Sequence, residues 1–348
     1  MMGFSENGKW KMVGGRIKAA VNGRETIFHF LFSIFLFLII GCAPSHKELV
    51  DSIVLRPAPE FNADSAYAHI AAQVSFGPRI PGTETHARCG DYLVRKLNGY
   101  GATVIEQLDS ATVGHGLRLP IRNIIASFGP EKSDRILLVA HWDSRPVADM
   151  DSHRPNEPIE GAHDGASGVG VLLEIARLIG LQQPAVGVDI ILFDTEDQGK
   201  VWEDGDDYET EFYYCMGARH WAAHPHVSGY SARYGIMLDM VAAADARFTL
   251  EQHSMQHAAP QMHNVWAIAH RLGYEHYFPF NLTRTVQHDH QFITEVAGIP
   301  TLAIMHHDIE SRYAFGSYWH THEDNLTSVD RNTLKVVGQT VVQTLFNE

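Results

Sequence analysis

Apolar and polar positions along this chain fall into two rhythms. Residues 103–108, 121–128, 135–140, 188–193, 234–241 and 301–305 are short runs that are nearly unbroken in apolar character or alternate with period two. Such runs predict strands. The runs V-D-I-I-L-F at 188–193 and R-I-L-L-V-A at 135–140 suit strands buried on both faces. Between most of the runs, apolar residues recur at helical spacing. Residues 83–100, 167–179, 215–223, 258–272 and 329–346 predict helices, with Ser167 placed to cap the second. Strands alternating with helices predict an α/β chain with a mostly parallel sheet covered on both sides. The first two strands lie close together and predict an antiparallel pair at one edge.

One apolar stretch belongs to neither rhythm. Residues 27–40 read I-F-H-F-L-F-S-I-F-L-F-L-I-I, and Lys9, Lys11, Arg16, Lys18 and Arg24 precede them. A basic region before a short apolar core is the pattern of an export signal. The run is shorter than the roughly 20 residues of a spanning helix. It ends in Ile39-Ile40-Gly41-Cys42, which resembles a bacterial lipoprotein signal. The expectation is a signal peptide over 1–41, lipid on Cys42, a polar, proline-containing tether over 42–62 and one catalytic domain over 63–348. An uncleaved N-terminal anchor is the alternative. Both place the domain outside the cytoplasm; the first makes it an exported bacterial lipoprotein, membrane-anchored on the periplasmic or cell-surface side.

Composition narrows the picture. The chain has 348 residues, 45% of them hydrophobic, enough for one large domain. A net charge of −14 argues against nucleic acid as a partner. After Cys42 only Cys89 and Cys215 remain, too few and too far apart for a disulfide framework or a cysteine metal site.

Chemistry gathers just past the ends of the predicted strands, where open α/β sheets bind their ligands. His141-Trp142-Asp143 follows one strand, and Asp194-Thr195-Glu196-Asp197 follows another. In the first, Asp143 either holds the His141 tautomer or stands behind His141 as a metal ligand. In the second, one carboxylate on a metal and one free to carry a proton would resolve the repulsion of neighbours. Asp164 lies in G-A-H-D-G-A-S-G-V-G, where glycines allow close backbone approach. Asp239 sits in the apolar frame M-L-D-M-V and needs a partner if buried. Asp289 lies in Q-H-D-H-Q-F, and His320 follows Tyr318-Trp319. Histidine with carboxylate is the set a catalytic zinc takes, one position being left for substrate.

The order and spacing of H-W-D-S, G-A-H-D-G-A-S-G, D-T-E-D and W-H-T-H-E-D-N resemble the zinc aminopeptidase and glutaminyl cyclase superfamily, over roughly residues 64–346. The resemblance implies a three-layer α/β/α sandwich around a mixed, mainly parallel sheet. It implies Asp164, Asp197 and His320 as zinc ligands and Glu196 as the proton carrier. Asp197 stands where animal cyclases have glutamate. The superfamily holds two activities. Trp202 and Trp319 match tryptophans lining the cyclase substrate pocket, and Asp289 matches an acid of the cyclase proton network, with Asp239 beside it. The cyclase reading implies one zinc, conversion of N-terminal glutamine to pyroglutamate, and peptides or proteins with N-terminal Gln as partners. The aminopeptidase alternative implies two zinc ions, with His141 and Asp239 as added ligands.

Overall fold

The computed structural model describes residues 45–113, 116–201, 213–311 and 314–348. The segment expected to be a signal peptide, together with Cys42 and Trp202, lies outside the described residues. One compact unit spans His46–Glu348.

Six strands form the central sheet: β1 (Thr103–Thr112), β2 (Arg118–Phe128), β3 (Arg135–His141), β4 (Gly187–Phe193), β5 (Gly235–Asp239) and β8 (Thr301–Met305). Their order is β1-β2-β4-β3-β5-β8. β4, β3, β5 and β8 run parallel, while β1 and β2 pair antiparallel with each other and β2 pairs antiparallel with β4. The mixed, mainly parallel sheet and its antiparallel edge therefore match the pattern of the chain. β3 and β4 are buried at all seven positions each, the mark of strands covered on both faces. Alternate residues serve opposite layers. Ile136, Leu138 and Ala140 join one core, whereas Leu137 and Val139 join the other.

Helices fill the two outer layers: α1 (His46–Ser52), α2 (Ala63–Val74), α3 (Glu84–Gly99), α4 (Ala166–Leu181), α5 (Met216–Ala223), α6 (Gln252–His257), α7 (Ala259–Arg271), α8 (Asp289–Glu295) and α9 (Arg331–Asn347). A small two-stranded sheet, β6 (Leu250–Glu251) with β7 (Leu282–Thr283), stands apart. α4 can be nearly all apolar because it is buried along almost its whole length. Gly168 lets it close on β5, since a Cβ there would meet the Leu238 carbonyl oxygen at 2.3 Å.

Two expectations need correction. Ser167 does not cap α4. Gly165 occupies the cap position, and Ser167 instead donates to the His163 carbonyl and accepts from Val241 N, tying α4 to the turn after β5. The stretch from His46 to residue 62 is no loose tether. Arg56 N donates to Asn347 Oδ1, Gln343 Nε2 donates to the Arg56 carbonyl, and Phe61 N donates to Gln339 Oε1. Side chains of α9 thus satisfy an extended backbone that its polar, proline-containing composition had marked as free. Phe61 is 1% exposed and belongs to the core.

Candidate active site

Every predicted site residue within the described regions reaches one end of the sheet. β3 delivers His141, with Trp142 and Asp143 beyond it. The loop after β4 delivers Glu196 and Asp197, and β5 ends on Asp239. Asp164 comes from the turn into α4. His320 follows β8 on a loop, and Asp289 opens α8. These are the carboxyl ends of the parallel strands, where the loops diverge and leave a crevice. Gly165 is required at the meeting of α4 and β3: a Cβ there would stand 2.4 Å from the His141 carbonyl oxygen.

Asp164, Asp197 and His320 converge, with one ligand atom of each within 4.8 Å of the others. His320 Nε2 is 3.3 Å from Asp197 Oδ1 and 4.0 Å from Asp164 Oδ2. The three side chains are almost wholly buried, and Asp197 Oδ2 has no hydrogen-bond partner. An orphaned carboxylate oxygen in a buried site is costly unless a cation meets it. Two carboxylates and one imidazole are the donor set of a catalytic zinc, so these residues fit that ion.

A second layer holds the three in place. Asp143 accepts from Glu196 N, Asp197 N and Gln198 Nε2, at 3.0–3.1 Å. It anchors that loop, places Oδ1 3.4 Å from His141 Nδ1 as expected of a residue behind that ring, and joins none of the convergent ligand groups among the described residues. Asp324 accepts from His163 N and Asp164 N, at 2.6 and 3.2 Å. Arg145 binds both oxygens of Asp149 and reaches Asp197 Oδ1 at 3.3 Å. Asp149 Oδ1 in turn lies 2.9 Å from His320 Nδ1. The two pair by charge, although His320 Nδ1 makes no aligned hydrogen bond. Sequence reasoning missed Arg145, Asp149 and Asp324. Asp324 lies inside the W-H-T-H-E-D-N run, and Arg145 and Asp149 stand four residues apart. Nothing local distinguished them from ordinary loop polars.

Next to the ligand set lies a cluster of buried acids. Glu196, Cys215, His288 and Asp289 each place one such atom within 4.8 Å of the others. Cys215 Sγ donates to Glu196 Oε1 at 3.0 Å. Both Asp289 oxygens are buried without a partner. Burial pushes Glu196 up to about 8, against the pull of His288 and His141, with Asp289 and Asp197 adding to the rise. Burial likewise pushes Asp289 up to about 6. Two carboxyls in one dry pocket do not ionise together, so the pair is suited to holding a proton and handing it on.

Asp239 behaves differently. Burial opposes its ionisation, but the His141 and His288 contacts outweigh that and hold it below the usual carboxylate range. Its Oδ2 lies 3.2 Å from His288 Nε2 and its Oδ1 lies 3.4 Å from His141 Nε2. His141, Asp239 and His288 form a further convergent set. His141 Nε2 is also 2.8 Å from Asp164 Oδ1, yet neither ring nitrogen of His141 makes an aligned hydrogen bond. Trp319 stacks on His320 with ring centroids 3.7 Å apart, forming one wall beside the ligand set. The pocket position expected of Trp202 lies outside the described residues. Cys89 and Cys215 are both free thiols, buried in opposite core layers.

Residues 123–345 match the family model of peptidase family M28. Two solved structures align over the whole domain. A zinc-dependent exopeptidase from Parabacteroides distasonis is 49% identical, with a TM-score of 0.82, covering 84% of this chain and all of that one. A glutaminyl cyclase from Tannerella forsythia is 47% identical, with a TM-score of 0.81, covering 83% of this chain and all of that one. Curated relatives match in part. An uncharacterized Escherichia coli protein, YfbL, is 35% identical over 112 residues, 32% of either chain. This chain thus spans about a third of the length of the first curated relatives it matches.

Proposed function

The chain belongs to peptidase family M28, and from that premise we propose that it is a zinc-dependent glutaminyl-peptide cyclotransferase. The observation that carries the reading is the Asp289 carboxylate, partnerless on both oxygens and gathered with Glu196 beside the ligand set. Ring closure by an amine uses a proton carrier together with a group that holds the attacking nitrogen, roles that Glu196 and Asp289 suit.

The substrate is a peptide or protein with N-terminal Gln. Its α-amine nitrogen bonds to its own γ-carboxamide carbon, the carbon–nitrogen bond of the amide breaks, and ammonia leaves. Asp164, Asp197 and His320 would hold a zinc ion, which would supply Lewis-acid polarisation of the γ-carbonyl. Glu196 takes a proton from the attacking amine and returns it to the departing nitrogen. Asp239 and Asp289 hold the amine. Trp319, over His320, keeps water from the γ-carbon, favouring cyclisation over hydrolysis. Because the reaction is intramolecular, fixing the reactive conformer is a large share of the catalysis.

A second reading is a two-zinc aminopeptidase. It is favoured by the convergence of His141 and Asp239 next to Asp164. Incubation with a Gln-initiated and a Leu-initiated peptide, followed by mass analysis, separates the two. Loss of ammonia from the first alone, with near one zinc per chain, is the expected result. Release of free leucine with near two zinc ions would overturn it. The protein also acts outside the cytoplasm, held to a membrane by lipid on Cys42. This reading rests on the basic region, the short apolar core and Ile39-Ile40-Gly41-Cys42.

A further inference from the structure

His288 stands between the two acids assigned to the amine. It is the cap residue of α8, with extended backbone at φ −159° and ψ 175°. Its Nδ1 accepts from Asp289 N at 2.8 Å. A backbone N–H can only donate, so this nitrogen carries no proton. The neutral ring then bears its proton on Nε2, which faces Asp239 Oδ2 at 3.2 Å. The other Asp239 oxygen accepts from Met240 N at 2.8 Å. Both oxygens of Asp239 are therefore held, one by its own chain and one by His288. The ring is 6% exposed, so water cannot readily take over either bond.

We propose that His288 is a positioning residue, whose Nε2–H aims the Asp239 carboxylate at the reacting amine in a tautomer imposed by the Asp289 amide. The inference rests on the cyclotransferase reading for the identity of that amine. One ring thereby organises both acids. It binds Asp239 directly, and by capping α8 it sets the start of the helix that carries Asp289. A proton on Nδ1 would point into the Asp289 N–H. The arrangement accommodates the neutral ring.

Two substitutions in the full-length protein separate positioning from capping. Asn at this position still offers a capping oxygen but is too short to reach Asp239. Gln places an amide nitrogen near the position of Nε2 and caps poorly. For His288→Asn, zinc content and Tm should stay near wild type. Its kcat for ammonia release from a Gln-initiated peptide should fall about 10- to 100-fold, the range for groups that orient others in a site, with KM nearly unchanged. His288→Gln should recover most of that loss. Wild-type kcat in His288→Asn, or His288→Gln no better than His288→Asn, overturns the proposal. Should both variants lose their fold or zinc, nitrogen-15 NMR of the wild-type ring decides. A protonated Nε2 with bare Nδ1 is expected at neutral pH, and the opposite tautomer or a doubly protonated ring overturns it. Wild-type protein that releases no ammonia sinks the cyclotransferase reading, while the ring NMR still judges the tautomer.

Discussion

Four non-glycine residues at this site hold a left-handed backbone: Thr195, Cys215, Met240 and His320, with φ between 49° and 61°. Each costs about 1–3 kcal/mol and persists only where its surroundings insist on it. Thr195 precedes Glu196, Met240 follows Asp239, Cys215 donates to Glu196, and His320 is itself a proposed ligand. Strain is thus spent on aiming individual side chains. At this scale Glu196→Gln should keep bound zinc and lose turnover by roughly 10²- to 10⁴-fold, because the amide fills the same space without carrying a proton. A near-native rate would reduce Glu196 to a buried loop acid. Asp164→Ala and His320→Ala should each lose zinc by metal analysis, since the described residues offer no free cysteine in that ligand set. Full zinc retention in both would remove them from the coordination sphere.

Elements meet through a few buried polar hubs, and one of these imitates a metal site. Glu251, His253 and His290 converge as closely as the ligand set does. Yet both Glu251 oxygens are already taken. They accept from His253 N, Ser254 N, Ser254 Oγ, Val286 N and His290 Nε2. A carboxylate with five donors has nothing left for a cation. It caps α6, bonds the segment after β7 and reaches α8, and so fixes the helix that begins at Asp289. Glu251→Gln should therefore lower stability by about 1–3 kcal/mol in chemical denaturation. Bound zinc should not change. A variant of unaltered stability, or one that loses a second equivalent of zinc, would contradict the hub.

Across the whole molecule, the N-terminal part divides at His46 rather than at residue 63. Removing residues 1–45 should leave the Tm nearly unchanged. Removing residues 1–62 takes Phe61 from the core, where the Gly338 position admits its ring only because glycine has no Cβ. Burial of such a side chain is worth roughly 1.5–3 kcal/mol, so the longer deletion should lower the Tm by several degrees. Equal melting of the two deletions would restore the tether reading. The anchor is tested separately. Cys42→Ser should shift the protein from the membrane fraction to the soluble one and abolish lipid labelling. Continued labelling of that variant would place the anchor elsewhere.

The strands and the acids just past their ends were legible along the chain, because each is written locally, whereas the ligand trio was singled out only by the resemblance of its motifs to a known superfamily. A run such as V-D-I-I-L-F can only bury itself between two layers, and the residues after it must emerge at the sheet's end. Glycines around Asp164 announce close approach in the same local way. What needed the tertiary structure is everything decided by residues far apart. Asp324 holds His163 from 161 positions away, and His288 reaches Asp239 across 49. Nor could spacing say which of the many histidines face the pocket. His306, His307 and His322 bond to Tyr318, Thr249 and the Arg154 carbonyl instead. The segment from His46 to Phe61 is the same case, polar in composition yet pinned by α9. Hydrophobic burial depends on short-range pattern and shows in the sequence. Satisfaction of buried polar groups depends on partners that only the folded chain brings within hydrogen-bond distance.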